Sequence, residues 1–337
     1  MSNPSVPPNN RGRLQRFPAL LYGLLLNALG FTIYFLGVVL RVAGLFLDRQ
    51  GHVLGLVRGM IWYSGMPVVA GVLLIAFDLF VLLPRKRSRV DVLWDPPENP
   101  ELTVVLTAYN DELSIRPAVE DFLRHPKVKR VIVVDNNSRD RTAEIAREAG
   151  AVVVIEPLAG YGHCVFRALS EGASYADTEL TLLCEGDMTF RAYDIDKFLA
   201  YVPHADIVNG TRIVEQLRSL RTQLTTFMYY GNFFAGKLLE AKHIGQGTFT
   251  DVGTTYKLCR NGALKLLLPL LNPGINLEFN AYFLDMALEN GFAIVECPVS
   301  FHNRVGVSKG GNVSNLRALK VGTRMIFAII FGWRTRQ

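Results

Sequence analysis

An α/β domain with a mostly parallel sheet, preceded by two membrane-spanning helices, is the fold class this 337-residue chain predicts. Three observations predict it. From Leu102 onward, short apolar runs alternate with amphipathic ones at the spacing of strand–helix–strand units. The runs end in polar clusters, where ligands bind in open parallel sheets. Ahead of them lie two apolar stretches long enough to cross a bilayer.

Phe17 to Leu40 contains no charged residue. At about 1.5 Å rise per residue it exceeds a hydrocarbon core of about 30 Å. The second stretch, 59–83, carries only Asp78, near enough to its end to reach interfacial water. The first run is too long for the apolar region of a signal peptide, and no A-x-A-like site follows it. A buried core hairpin is the alternative. Half of the residues are hydrophobic and the mean hydropathy is +0.21, high for a soluble chain. Arg11, Arg13 and Arg16 precede the first span, and Arg85, Lys86, Arg87 and Arg89 follow the second. The link holds Arg41, Arg49 and Arg58 with Asp48. This bias predicts that both termini, and everything after residue 84, face the cytoplasm.

The net charge of +6 suits anionic lipid, nucleotide or nucleic acid alike. Cys164, Cys184, Cys259 and Cys297 form no CxxC pair, which argues against a zinc knuckle or a disulfide framework and for buried free thiols.

"RKRSRVDVLWDPPENPE" is polar and proline-rich and reads as a linker. The strands that follow are "LTVVLTAY", "VKRVIVVDNNS", "AVVVIEP" and "ELTLLCEGD", separated by helical "SIRPAVEDFLRH", "RDRTAEIAREAG" and "GHCVFRALSEGASYA". The expected organisation is a tail over 1–16, a transmembrane hairpin over 17–83, a linker over 84–100, the α/β domain over 101–311 and an amphipathic membrane-interface segment over 312–337. In that last segment Arg317, Lys320 and Arg324 lead into an apolar run, Met325 to Trp333, too short to span. A helix packed on the domain is its alternative.

The chemistry sits at the strand ends. Glu185 and Asp187 in "EGD" repel each other unless a cation lies between them, and carboxylate oxygens suit Mg²⁺ or Mn²⁺. A solvated turn gives the same triplet. Asp135 ends an apolar strand, where it can accept hydrogen bonds from a base or ribose, or simply make a turn. Gly160 and Gly162 in "LAGYGH" let backbone approach a phosphate, but no G-x-G-x-x-G occurs there. Arg212 follows the strand "DIVNGT" and can reach a phosphate or remain solvated. The Tyr229, Tyr230, Phe233 and Phe234 cluster suits core packing better than a lipid groove.

Together, "VVLTAYND", "VVDNNSRDRT" and "EGD" resemble the nucleotide-sugar half of the family 2 glycosyltransferases, which have the GT-A fold. That family shows Tyr-Asn-Glu, then Val-Asp-Asp-Gly-Ser-x-Asp-x-Thr, then Asp-x-Asp. Here Asp111 stands for the Glu, Asn136 and Asn137 replace Asp-Gly, and Glu185 replaces the first acid of Asp-x-Asp. "IVECPVSFHNRVGVSKGG" is similar to the Glu-x-Pro and Arg-x-x-Gly-x-Ser-Lys ending of the branch that glycosylates polyprenyl phosphates, the dolichol-phosphate mannose synthases among them. Its spacing after Arg304 is one residue tighter.

The resemblance implies an inverting, membrane-anchored hexosyltransferase that uses Mg²⁺ or Mn²⁺. It implies donor contacts at Ala108, Tyr109, Asp111, Asp135, Asn137, Gly160, Gly162 and Arg212, and a metal on Glu185 and Asp187. Acceptor-phosphate contacts would come from Arg304, Ser308 and Lys309, and the catalytic set would be Asp187, Asp251 and Arg304. The expected partners are a nucleotide sugar (UDP- or GDP-), a polyprenyl phosphate, membrane lipid and, optionally, a second copy of the chain, with no nucleic acid. Transfer to another lipid or a polysaccharide, and a non-catalytic membrane subunit with a decayed transferase domain, are the competing readings.

Overall fold

The computed structural model describes residues 16–47, 52–86, 92–219, 222, 224–306 and 315–333. Ser308 and Lys309, and the basic residues Arg11, Arg13, Arg49, Arg87 and Arg89, lie outside them. The chain divides into two units, one of Arg11–Ser88 with Ala241–Gly245, the other of the remainder.

The first unit is helical: α1 (Ala19–Leu47), α2 (His52–Tyr63), α3 (Gly65–Phe77), a π-helical turn (Asp78–Leu82) and α4 (Leu83–Lys86). Two runs, Ala19–Gly44 and Gly55–Lys86, are long and apolar enough to cross a membrane. The second therefore begins before the expected residue 59. Glycines let α1 and α3 touch backbone to backbone. A Cβ on Gly23 would lie 2.7 Å from the Gly71 carbonyl oxygen, and one on Gly71 would lie 2.6 Å from that of Gly23.

Asp78 does not reach water. It is fully buried, pairs with Lys86 at 2.7 Å and accepts the Leu20 amide at 2.6 Å, while Lys86 also donates to the Phe17 carbonyl at 3.1 Å. A buried carboxylate needs such partners. Here they clasp the start of the first apolar run to the end of the second.

The second unit is the predicted α/β domain. Its elements run β1 (Leu102–Ala108), α5 (Ile115–Leu123), β2 (Val128–Asp135), α6 (Thr142–Glu148), β3 (Val152–Ile155), α7 (Tyr161–Ser174), β4 (Leu180–Glu185), α8 (Ile195–Tyr201), β5 (Ile207–Thr211), α9 (Thr226–Lys242), β6 (Lys257–Arg260), α10 (Asn261–Leu267), α11 (Phe279–Glu289), β7 (Ile294–Pro298) and α12 (Asn315–Phe331). The seven strands lie in the order β3-β2-β1-β4-β6-β5-β7, and only β6 runs antiparallel to its neighbours. Strand β1 is buried at every position, as Val- and Leu-rich strands covered on both faces are. The chain winds from β1 outward to β2 and β3, then crosses back to β4. The carboxyl ends of β1 and β4 therefore flank a topological switch point, where a ligand crevice forms.

The C-terminal helix packs on the domain along one face. Met325 and Ile329 are buried in the domain core, and the Trp333 indole donates to Asp285 at 2.7 Å. Leu316, Leu319, Phe327 and Phe331 remain exposed. On α9, Phe227, Tyr230 and Phe234 are also exposed, at helical spacing on one face, so aromatic core packing accounts for only part of that cluster. All four cysteines are buried and free.

Candidate active site

The turns after β1 and β2 interlock. Asn110 and Asn137 both have positive φ, 52° and 60°. Asparagine tolerates that region best after glycine, which explains how Asn137 stands where the family motif has Gly. The Asp135 carboxylate accepts from the Ser138 amide (3.2 Å) and hydroxyl, and Ser138 Oγ accepts the Asn110 amide at 2.8 Å. Asp111 is buried; it takes the Tyr109 amide on Oδ2 (3.0 Å), and its own amide donates to Thr142 Oγ1 (2.7 Å). Asn136, which the sequence marks as a departure from the motif but not as a donor contact, ties this turn to the loop after β3. Its Nδ2 donates to the carbonyls of Glu156 (3.1 Å) and Leu158 (2.7 Å), and its Oδ1 accepts the Gly160 amide at 2.9 Å.

The two glycines of "LAGYGH" differ. Gly160 has φ 136° and precedes α7. Gly162 is no phosphate cradle: a Cβ there would sit 1.7 Å from the Ile275 carbonyl oxygen. Its missing side chain admits a neighbouring loop, not a ligand.

The acid turn after β4 is held tightly. Gly186 packs under Ile115, whose Cδ1 would lie 2.7 Å from a Cβ, and Met188 adopts φ 68°, a strained value for a non-glycine residue. Asp187 Oδ1 accepts the Thr189 amide (3.0 Å) and hydroxyl (2.5 Å). Its Oδ2 lies 3.1 Å from Arg304 Nε, yet both atoms are buried without an aligned hydrogen bond. Arg304 also lies 3.9 Å from Asp111. The backbone carries it there, because the Val305 amide donates to the Asp187 carbonyl at 3.0 Å and the His302 amide to that of Thr189 at 2.9 Å. Burial, then the Glu185 carboxylate, pushes Asp187 up to about 7, against the pull of Arg304. Burial works against the Arg304 charge, but Asp187, Glu185 and Asp111 outweigh it and raise its pKa.

Glu185 is steered by residues the sequence did not single out. Its Oε1 accepts from Thr255 Oγ1 at 2.8 Å; Thr255 is bonded to the Tyr161 hydroxyl at 2.5 Å, and Asn280 donates to that hydroxyl at 2.8 Å. The donor set is therefore all oxygen: one Glu185 carboxylate with a fixed orientation and one buried Asp187 oxygen with no aligned donor. That fits a hard divalent cation such as Mg²⁺ or Mn²⁺.

Arg212 and Asp251 lie at the other end of the edge, beside β5. Arg212 donates from Nε to Asp251 Oδ2 at 2.6 Å and from its terminal nitrogen to Oδ1 at 2.8 Å, and the same carboxylate accepts the Arg212 and Gly253 amides at 3.1 and 3.2 Å. Burial acts to raise the Asp251 pKa, but Arg212 outweighs it and holds the carboxyl below its usual value. Both oxygens are committed to a guanidinium, so Asp251 is a poor proton acceptor. Its bonds hold the Arg212 guanidinium in place. A shallow depression lined by Arg212, Leu224, Tyr229, Asn232 and Thr250 opens beside the pair.

Comparison with known proteins agrees with this architecture. Residues 103–267 match Glycosyl transferase family 2. The chain is 32% identical over 113 residues to Protein RfbJ of Shigella flexneri, covering 33% of this chain and 84% of that protein. It is 28% identical over 211 residues to a dolichyl-phosphate hexose transferase of Haloferax volcanii, covering 62% of this chain and 86% of that one. An uncharacterised glycosyltransferase of Mycobacterium tuberculosis is 40% identical over 112 residues, and the chain spans about half its length (48%). Among solved structures, glucosyl-3-phosphoglycerate synthase from Mycobacterium tuberculosis, in complex with Mn²⁺, UDP-glucose and phosphoglyceric acid, superposes with a TM-score of 0.51 at 16% identity, over 70% of this chain and 81% of that one. Strand order, strand-end acids and sequence similarity agree, and the chain belongs to glycosyltransferase family 2 and is a glycosyltransferase.

Proposed function

We propose that this enzyme moves a hexose from a nucleotide sugar to a polyprenyl phosphate at the cytoplasmic face of a membrane, with inversion at the anomeric carbon. The observation that carries the reading is the order of groups along one sheet edge. Nucleoside-binding candidates (Tyr109, Asp111, Asp135 and Asn137) follow β1 and β2, the acid pair follows β4, and a buried arginine follows β5. The donor then lies over β1, β2 and β4, and Arg212 serves the acceptor phosphate instead of the donor. The likeness to the Haloferax dolichyl-phosphate hexose transferase supports the acceptor class. The apolar spans and the exposed apolar faces of α9 and α12 suit a lipid substrate.

In this reading Glu185 and Asp187 hold Mg²⁺ or Mn²⁺, which when bound neutralises charge on the departing diphosphate. Tyr161 and Thr255 fix the Glu185 carboxylate, and Thr189 fixes that of Asp187. Arg304 turns from the carboxylates to phosphate oxygens, with Ser308 and Lys309 expected beside it. Arg212, aligned by Asp251, holds the acceptor. An acceptor oxygen forms its bond to the anomeric carbon as the bond to the diphosphate oxygen breaks. A phosphate is already ionised near neutral pH, so no protein base is needed, and catalysis consists of positioning and charge stabilisation.

The test is to incubate purified enzyme and a polyprenyl phosphate with a panel of UDP- and GDP-sugars and weigh the product. A glycosylated polyprenyl phosphate is expected, and its absence with every donor overturns the reading. For topology, tags on Ser2 and Gln337 should both resist external protease in sealed right-side-out vesicles; cleavage of either would place a terminus outside.

A further inference from the structure

We infer that Glu296, on β7, is a positioning residue for the phosphate-binding cation Arg212, acting through the backbone of Thr250 and Asp251. The inference rests on the acceptor reading above. Glu296 accepts the Thr250 amide on both carboxylate oxygens (3.0 and 2.9 Å), the Thr250 hydroxyl on Oε2 (2.6 Å) and the Asp251 amide on Oε1 (3.1 Å). Asn209, its register partner on β5, donates to the Asp251 carbonyl at 2.9 Å and to Glu296 at 3.4 Å. The Thr250 hydroxyl is in turn bonded to that of Thr211 at 2.8 Å. Asp251 is thus pinned from the sheet side at its own amide and carbonyl, and its carboxylate is left to grip Arg212 from the other side.

Four donors converge on this one side chain, and only a carboxylate serves them all. A glutamine offers one oxygen and turns an NH₂ group toward N–H donors. The charges fit the same account. Asp251 grips the buried Arg212 guanidinium, and Asp251 and Glu296 both act to keep charge on the buried Lys257, whose pKa burial lowers to about 7. Removing the Glu296 charge unbalances that set at the position that fixes Arg212. Sequence reasoning met Glu296 only as part of a Glu-x-Pro motif, because its partners lie 45 and 46 residues away.

The test is a kinetic cycle of Glu296→Gln, Arg212→Lys and the double variant, with donor and acceptor varied in turn. Glu296→Gln is expected to lower kcat/KM for the acceptor about tenfold or more with donor KM within about twofold, and the double variant to fall little below Arg212→Lys alone. Thr250→Val, which removes one donor and leaves the charges in place, should move the acceptor constants the same way by about threefold, and keeps the test open if Glu296→Gln misfolds. An unchanged acceptor kcat/KM, an equal rise in donor KM, or effects that simply multiply would overturn the inference. A wild-type enzyme inert towards polyprenyl phosphate would sink the acceptor reading instead. The same cycle in denaturant unfolding then decides the positioning claim, with coupled losses supporting it and additive losses overturning it.

Discussion

Asp187→Asn is expected to lower turnover by at least about a hundredfold while leaving the ligand-free protein as stable as before, or more so. Asp187 is 1% exposed and sits beside a second carboxylate, an arrangement that costs folding free energy. An amide keeps the shape, and its oxygen can still accept from Thr189, but the negative charge that would hold a divalent ion is gone. The same physics fixes a pH dependence. The folded protein binds the Asp187 proton more tightly than the unfolded chain, at about 7 against an ordinary 3.8. Stability from this group is therefore full below the unfolded value and is lost as pH rises from about 4 to about 7. In chelator, melting temperature should fall over that window for the wild type and less steeply for Asp187→Asn. Chelator should abolish turnover, and Mn²⁺ or Mg²⁺ should restore it in the wild type only. Wild-type rates in the variant, or full activity in chelator, would remove the metal role.

The parallel part of the sheet was readable because its strands are uninterrupted apolar runs that end in turn chemistry. β1 to β4 fall within the segments marked for them. The antiparallel β6 was not, because Lys257–Arg260 is four residues long and begins with a buried lysine. Polar residues also carried the wrong weight where one pattern serves two ends. The G-x-G of Gly160 and Gly162 suits phosphate approach and close backbone packing alike, and only the carbonyls of Pro273 and Ile275, more than a hundred residues on, decide for packing at Gly162.

Asp78 and Lys86 show a similar limit. Lys86 reads as one of a basic flank for headgroups, and Asp78 as an acid near water. Each alone is a sound inference from hydropathy. The buried pair they form with the first turn of α1 depends on the hairpin's closure, which sequence periodicity does not encode. The site repeats the lesson: the acids stand in motifs, whereas the Thr255, Tyr161 and Asn280 relay that orients Glu185 joins three separate segments.

Arg304→Ala is expected to change two measurements in opposite directions. Turnover should fall about ten- to a hundredfold, since a charge-assisted contact to phosphate is worth about 1.5–3 kcal/mol and each 1.36 kcal/mol is a factor of ten. Metal affinity in the absence of donor should rise. Arg304 is the cation nearest Asp187 among the described ion pairs, 3.1 Å from the oxygen that has no aligned donor, and it reaches toward Asp111 as well. It occupies the ground a divalent ion would take, so a metal entering the ligand-free site must displace it or share its partner. Removing the guanidinium removes that competitor. Arg304→Lys keeps the charge but loses the planar fork, so turnover should be impaired while metal affinity stays near that of the wild type. Mn²⁺ titration by calorimetry, beside steady-state rates and melting curves, separates the outcomes. Unchanged turnover in Arg304→Ala would reduce the segment to an ordinary loop. Weaker Mn²⁺ binding in that variant would show that the arginine assembles the metal site and does not compete for it.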